Sequence, residues 1–263
     1  MRPPPEQLVP IIREAAREHI LPRFMRVGHD VKADGSLLTE ADLATQAALE
    51  ETLKAHWPDI AFLGEEMEAA QQARLLEAGG PLWCLDPLDG TSNFAAGLPL
   101  FAVSLALIEA GAPTVAVTYD PLRDECFTAT ADGPAALNGK PLQATPRRAE
   151  LSRCTALVDF KRLPKALTGR LAAEPPYSSQ RNFGSCALEW CWIAAGRGHL
   201  YLHGGMKLWD HAAGTLILNR AGGSCCTLDG EPVFKPTLAP RSVIAARDAG
   251  LFAAWRAHLL AQG

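Results

Sequence analysis

Hydrophobic positions along the chain change period several times, and each change marks an element. Across residues 6–24, Leu8, Ile11, Ile12 and Ala15 recur at three- and four-residue spacing, which predicts an amphipathic helix. Residues 27–38 lose that period and read as a loop or hairpin with Lys32, Asp34 and Gly35 at its tip. Thr39 opens a second helix that runs to Trp57 and stops before Pro58. A short apolar strand over residues 60–63 ends in Gly64-Glu65-Glu66, and residues 67–80 read as a helical or loop insertion. Trp83-Cys84-Leu85 predicts the end of a buried strand that breaks at Asp86. Residues 101–108 and 114–119 are β-rich runs joined at Glu109-Ala110-Gly111, a hairpin pattern. Residues 125–129 and the Asn138-Gly139 pair add a strand and a tight turn, so an antiparallel sheet is expected across 101–142.

The proline- and arginine-bearing segment 145–150 is the expected boundary, dividing an N-terminal α+β half (1–147) from a C-terminal α/β half (148–263). Beyond it, strand patterns at 155–160, 199–203 and 242–246 alternate with helical patterns at 185–195, 209–220 and 248–260. No internal repeat or low-complexity tract stands out.

Chemistry concentrates between Trp83 and Phe94, in W-C-L-D-P-L-D-G-T-S-N-F. Pro87 removes a backbone donor and Gly90 permits a sharp turn, so Asp86 and Asp89 can be held close together at a strand end. Like charges so placed repel unless a cation lies between them, and hard oxygen ligands suit Mg²⁺ better than zinc. If a short helix opens at Gly90 and Thr91, their N–H groups add an anion site. An exposed Asx-turn closing a strand accounts for the same residues. Thr39–Asp42 equally reads as a helix capping box, Glu65-Glu66 as a solvated helix start and Asp210 as a helix N-cap. Taken alone, these residues leave both readings open.

Composition narrows the classes. A chain of 263 residues, 48% hydrophobic and 21% charged, can bury a core as one or two domains. A net charge of −4 and the lack of a basic run leave no footprint for nucleic acid, so a phosphorylated substrate must be drawn in by a bound cation. No apolar run is long enough to span a bilayer, and Met1-Arg2-Pro3-Pro4-Pro5 does not begin a signal peptide. A cytoplasmic protein with neither membrane nor nucleic-acid partner is therefore expected. Seven cysteines without a C-x-x-C argue against a disulfide framework or a zinc site.

D-P-L-D-G-T-S-N-F resembles the signature of the inositol monophosphatase family, the lithium-sensitive, magnesium-dependent phosphomonoesterases. Further stretches resemble the family in its own order: Thr39–Asp42 as T-x-x-D, Gly64-Glu65-Glu66, and Arg181-Asn182-Phe183-Gly184-Ser185 as R-x-x-G-S/T. Trp209-Asp210-His211-Ala212-Ala213-Gly214 matches W-D-x-A-A-G and leads to Ala221-Gly222-Gly223. The resemblance implies a layered αβαβα sandwich with its site between the two halves, and a homodimer. It implies two or three Mg²⁺ ions: one on Glu65, Asp86 and the Leu88 carbonyl, one on Asp86, Asp89 and Asp210, and a weaker third at Glu65. Glu66 would orient Glu65. Phosphate would rest on the N–H groups of Gly90 and Thr91. The Thr91 hydroxyl, oriented by Asp42, would position a metal-activated water, with no residue becoming phosphorylated.

The implied substrate wall is Asp89, Gly184, Ser185, Cys186, His203 and Asp210. Cys186 departs from the family's pattern, and His203 falls where the inositol monophosphatases proper carry a sugar-binding glutamate. A histidine there can bind a polyol, or can be a strand-end residue facing solvent. The expected substrate is a small monophosphate of a polyol or amino alcohol. Histidinol phosphate, fructose 1,6-bisphosphate and 3′-phosphoadenosine 5′-phosphate, substrates of relatives, are the alternatives. No basic cluster for a second phosphate and no aromatic pair for an adenine stands out. The aspartyl-phosphate phosphatases use D-x-D-x-T, which D-x-x-D here does not match. A non-catalytic metal- or phosphate-binding regulatory protein is the alternative of another class; loss of a metal carboxylate would favour it, and none is lost.

Overall fold

Alternation along two sheets decides how the layers of this protein stack. The computed structural model describes residues 2–26, 28–32, 35, 37–142 and 150–260. The expected half boundary, and with it Val27 and Asp34 of the expected hairpin, lies outside the described residues. The N-terminal helix α1 (Pro5–Ala15) continues through a wide turn at Ala16–Ile20 and a tight one at Leu21–Arg23, so the predicted helix is one rod. A hairpin, β1 (Asp30–Val31) and β2 (Leu37–Leu38), leads to α2 (Glu40–His56). Then come β3 (Ala61–Gly64), α3 (Ala69–Ala78), β4 (Leu82–Asp89) and the single-turn α4 (Thr91–Ala95). Next are β5 (Ala102–Glu109), β6 (Ala112–Asp120), β7 (Glu125–Thr130), β8 (Ala136–Leu137) and β9 (Lys140–Pro141). The second half comprises β10 (Thr155–Asp159), α5 (Lys165–Ala173), β11 (Ser179–Arg181), α6 (Cys186–Ala194) and β12 (Leu200–Met206). It closes with α7 (Leu208–Arg220), β13 (Ser224–Cys226), β14 (Arg241–Ala246) and α8 (Ala249–Leu260).

The seven-stranded sheet runs β3-β4-β5-β6-β7-β8-β9, antiparallel except for the parallel pair β3–β4. One of its faces carries Trp83, Leu85, Val103, Leu105, Val115 and Val117, which pack with Leu8 and Ile12 of α1 and Leu49 and Leu53 of α2. Its other face carries Leu82, Cys84, Ala102, Ala106 and Ala116 beneath α6 and α7, and the small side chains leave those helices room to sit close. The five-stranded sheet, ordered β11-β10-β12-β14-β13, closes on the far side of α6 and α7 with Tyr201, Val243 and Ala245. Its outer face, Leu200, Leu202 and Ile244, is covered by Leu171 of α5 and Leu251 and Trp255 of α8. These are the five layers αβαβα. Each fully buried side chain of this size contributes about 1.5–3 kcal/mol, so the period-two pattern fixes which face of a strand meets which helix.

One expectation is corrected. The strand does not break at Asp86: β4 runs on to Asp89, its register shifting between Asp86 (opposite Ser104) and Asp89 (opposite Ala102). Three steps on β4 answer two on β5, which is a bulge, and a bulge tolerates Pro87 because no ladder donor is needed there. Three elements also carried no readable signal. α5 contains Gly169 and fully buries only Leu171, while β11 and β13 are three-residue strands at the sheet edges.

Candidate active site

The bulge in β4 is where the site begins. It turns Asp86 and Asp89 toward one cavity of about 290 Å³, which Leu88, Gly90 and Thr91 also line. Gly90 has φ of 93°, and a Cβ there would lie 2.8 Å from the Leu100 carbonyl, so no other residue fits the turn without strain. Immediately after it, α4 starts at Thr91. The Thr91 hydroxyl lies 3.1 Å from Asp42 Oδ1 and 3.0 Å from the Leu88 carbonyl. It has one proton and donates it to one of them at a time. Asp42 Oδ2 meanwhile accepts from Thr39 N–H and Oγ1 at 2.7 and 2.6 Å, so the capping residue of α2 is also the partner of Thr91. Burial raises the Asp42 pKa, and the Thr39 and Thr91 bonds pull against that rise.

The C-terminal half reaches across to Asp89. Ser185 Oγ donates to Asp89 Oδ2, and the first N–H groups of α6, Cys186 and Ala187, donate at 3.2 and 2.9 Å. A carboxylate from one half thus sits at a helix start of the other. Burial still lifts the Asp89 pKa to about 6 against those bonds. Asp210 enters from the third position of α7, where Oδ2 accepts from Lys207 N–H at 2.8 Å; Lys207, not Asp210, is the N-cap. Asp86, Asp89 and Asp210 each place a carboxylate oxygen within 4.8 Å of the other two. Asp86 and Asp210 are raised well above the usual carboxylate range, first by burial and then by neighbouring acids, Glu65 among them. An oxygen-only set of mutually repelling carboxylates, Asp86 and Asp89 buried and Asp210 partly so, fits a hard divalent cation such as Mg²⁺, which would offset that repulsion.

A family model for the inositol monophosphatase family matches residues 6–262. The chain belongs to that family. It is a phosphoric monoester hydrolase by class, and the family is magnesium-dependent. Among its relatives, inositol monophosphatase 1 of Solanum lycopersicum is 37% identical over 83% of this chain and 83% of its own length. The Nus factor SuhB of Xylella fastidiosa is 35% identical over 73% of this chain and 69% of its own. The solved staphylococcal IMPase-II bound to inositol monophosphate superposes with a TM-score of 0.79 at 26% identity, covering 97% of this chain and 92% of that one.

Within this member of the inositol monophosphatase family, the remaining predicted site residues divide into two groups. Glu65 and Gly184 line the cavity with the aspartates. Glu65 is turned toward Lys32, whose ammonium lies 3.0 Å from Glu65 and 2.7 Å from Glu66. Burial and the Glu65 charge push the Glu66 pKa to about 7 against the pull of Lys32. Cys186 lines the cavity too, and burial together with the surrounding acids holds its thiol well above its ordinary pKa. Of the two readings of His203 the solvent-facing one is corrected, since the side chain is buried, and it stands behind Cys186 instead of among the residues that line the cavity. It is 2% exposed, its Nδ1 accepts from Gly205 N–H at 3.1 Å, and its Nε2 faces Asp159 at 3.2 Å. Cys186, His203 and Asp159 form no relay, since the thiol and the carboxylate both meet Nε2.

Sequence reading missed four residues at the site. Asn93 Nδ2 donates to the Leu100 and Phe183 carbonyls at 2.8 and 2.6 Å, tying the turn to the second half. Buried Glu189 accepts from Phe183 N–H at 2.8 Å, and burial raises its pKa to about 7. Arg162 and Lys207 line the cavity. Asn93 stands inside the signature and could have been singled out; the other three lie far apart in sequence and carried no local signal.

Proposed function

We propose that this protein hydrolyses a small phosphate monoester of the polyol type, with Mg²⁺ held by Glu65, Asp86, the Leu88 carbonyl, Asp89 and Asp210. The observation that carries the reading is the convergence of Asp86, Asp89 and Asp210 from both halves, beside the Thr91–Asp42 pair, in one cavity. Its volume of about 290 Å³ suits a small ester. Bound Mg²⁺, two ions with a third at Glu65, would neutralise charge on the phosphoryl group and acidify the attacking water.

The chain's own residues do the rest. Gly90 and Thr91 offer N–H groups at the start of α4 to the phosphate oxygens. When the Thr91 hydroxyl gives its hydrogen to Asp42, its oxygen is free to accept from the attacking water and aim it at phosphorus. Asp89, fixed by Ser185, Cys186 and Ala187, keeps the two halves in register during the reaction. As the water oxygen bonds to phosphorus the P–O ester bond breaks; the water gives up a proton and the leaving alkoxide takes one up, so that alcohol and inorganic phosphate result. An amino-alcohol ester is the poorer fit, since Arg162 and Lys207 line the same cavity. Family likeness also supports a homodimer, which sedimentation would test, and a cytoplasmic location.

Phosphate release from a panel of small monoesters, with and without Mg²⁺, tests the reading in wild type and Asp86→Asn. The panel includes inositol 1-phosphate, histidinol phosphate, fructose 1,6-bisphosphate and 3′-phosphoadenosine 5′-phosphate. Mg²⁺-dependent release that disappears in the variant is expected. Likeness to Nus factor SuhB favours a second reading, a regulatory protein. Folded protein that binds Mg²⁺ and releases phosphate from no ester would turn the balance toward it.

A further inference from the structure

Two cations in the cavity have so far served only to disfavour an amino-alcohol ester. Arg162 follows β10 and Lys207 caps α7, and both line the cavity that holds the carboxylates. Among the described residues neither has a carboxylate within 4.0 Å, whereas Lys32, the third cation of the lining, is engaged by Glu65 and Glu66. Arg162 spends one donor on the Gly205 carbonyl at 2.9 Å, and among the described residues the rest of its fork meets no other acceptor. Its backbone is held in place: a Cβ at Gly204 would run into the Arg162 carbonyl, so the Gly204-Gly205 pair lets this loop lie directly on β12. A guanidinium tethered by one bond and fixed through its backbone is a preorganised anion ligand.

The Asp159 and Asp210 carboxylates act on Arg162 through space, but neither lies within ion-pair distance of it among the described residues.

We infer that Arg162 and Lys207 form a second anion subsite, and that the preferred substrate is a small phosphate monoester bearing another acidic group, a carboxylate or a second phosphate. The inference rests on the phosphatase reading for its substrate class, but it is tested separately. Two matched ester pairs differ only in that group: 2-phosphoglycerate against glycerol 2-phosphate, and fructose 1,6-bisphosphate against fructose 1-phosphate. In wild type, kcat/KM should favour the acidic member of one pair at least tenfold, and the pair that shows it tells carboxylate from phosphate. In the double variant Arg162→Gln, Lys207→Gln that ratio should fall at least tenfold, with Arg162→Lys keeping part of it. If the two charges merely screen the aspartates, acidic and neutral esters will lose rate together and the ratio will not move, which overturns the inference. A wild-type ratio near one in both pairs overturns it as well. Calorimetric Kd values for the same ligands, with Mg²⁺ present, separate the two readings. A binding preference that the double variant loses, without turnover of any ester, would sink the hydrolase reading and keep the subsite. Equal Kd values within both pairs would sink the subsite.

Discussion

On the N-terminal side of the cavity one continuous stretch, residues 86–91, supplies two aspartates, a carbonyl, a left-handed glycine and a hydroxyl. On the C-terminal side the wall is assembled from Arg162, the Gly184–Cys186 corner and the Lys207–Asp210 turn, brought together by β10, α6 and α7. In the first wall, spacing along the chain and geometry in space are nearly the same thing. In the second, geometry exists only after five layers have packed. The first wall should therefore govern rate, and the second should govern which ester is accepted.

The largest expected effect tests the first wall. Asp86→Asn should lower kcat/KM on the order of 10³-fold, as loss of a preorganised electrostatic group does. Because Asp86 is buried among other acids, the same change should raise the melting temperature of the metal-free protein and abolish its stabilisation by Mg²⁺. A variant that loses activity but still gains stability from Mg²⁺ would separate Asp86 from the metal site.

Next comes a pH effect from behind the second wall. The Glu189 pKa is raised from 4.5 to about 7, chiefly by burial. The folded state then holds more protons than the unfolded state between those values. Stability is full below pH 4.5, falls as pH rises through the window and levels off above 7. Integrated, the loss is roughly 3 kcal/mol. Glu189→Gln keeps an acceptor for Phe183 N–H and removes this dependence, so the variant should be the more stable protein at pH 8 by denaturant titration. Equal slopes for both proteins across pH 4.5–7 would show that Glu189 does not carry the shift.

Thr91→Val sharpens the division between rate and recognition. It removes the hydroxyl while keeping the shape, and kcat should fall about 10²-fold with KM little changed. Thr91→Ser should retain most of the rate. A rise in KM alone would mean that the hydroxyl binds substrate and does not orient water.

How much was legible follows the same division. The five-layer stacking came from the family resemblance; the strands of the first sheet could be read because they keep period two, and the acidic turn because 86–91 is contiguous. Even there the strand was expected to end at Asp86, since a proline between two aspartates looks like a break; the bulge that accommodates it depends on β5 alongside. Arg162 and Lys207 escaped notice because 45 positions separate them, and only the contact of the 160–163 loop with Gly204 puts both on one wall. Asp210 was read both as a helix cap and as a site residue, and its Oδ2 does accept from Lys207 N–H while its carboxylate joins the cluster.

His203 gives the smallest expected effect and the sharpest check on the comparison. Counted along the sequence it stands at a sugar-binding position; in the fold it lies behind Cys186, paired with Asp159 and Gly205. A residue that contacts substrate changes KM when replaced, whereas a buried polar partner changes stability. His203→Asn should therefore move KM by less than about threefold, under 1 kcal/mol of binding. It should cost about 1–2 kcal/mol of unfolding free energy, because Asp159 loses a donor in a half-buried setting. Although burial opposes it, the His203 and Lys161 bonds hold the Asp159 pKa below the usual range, and the variant should bring it upward. A large KM change with unaltered stability would return His203 to the substrate wall, and would mean that the wall moves when an ester binds.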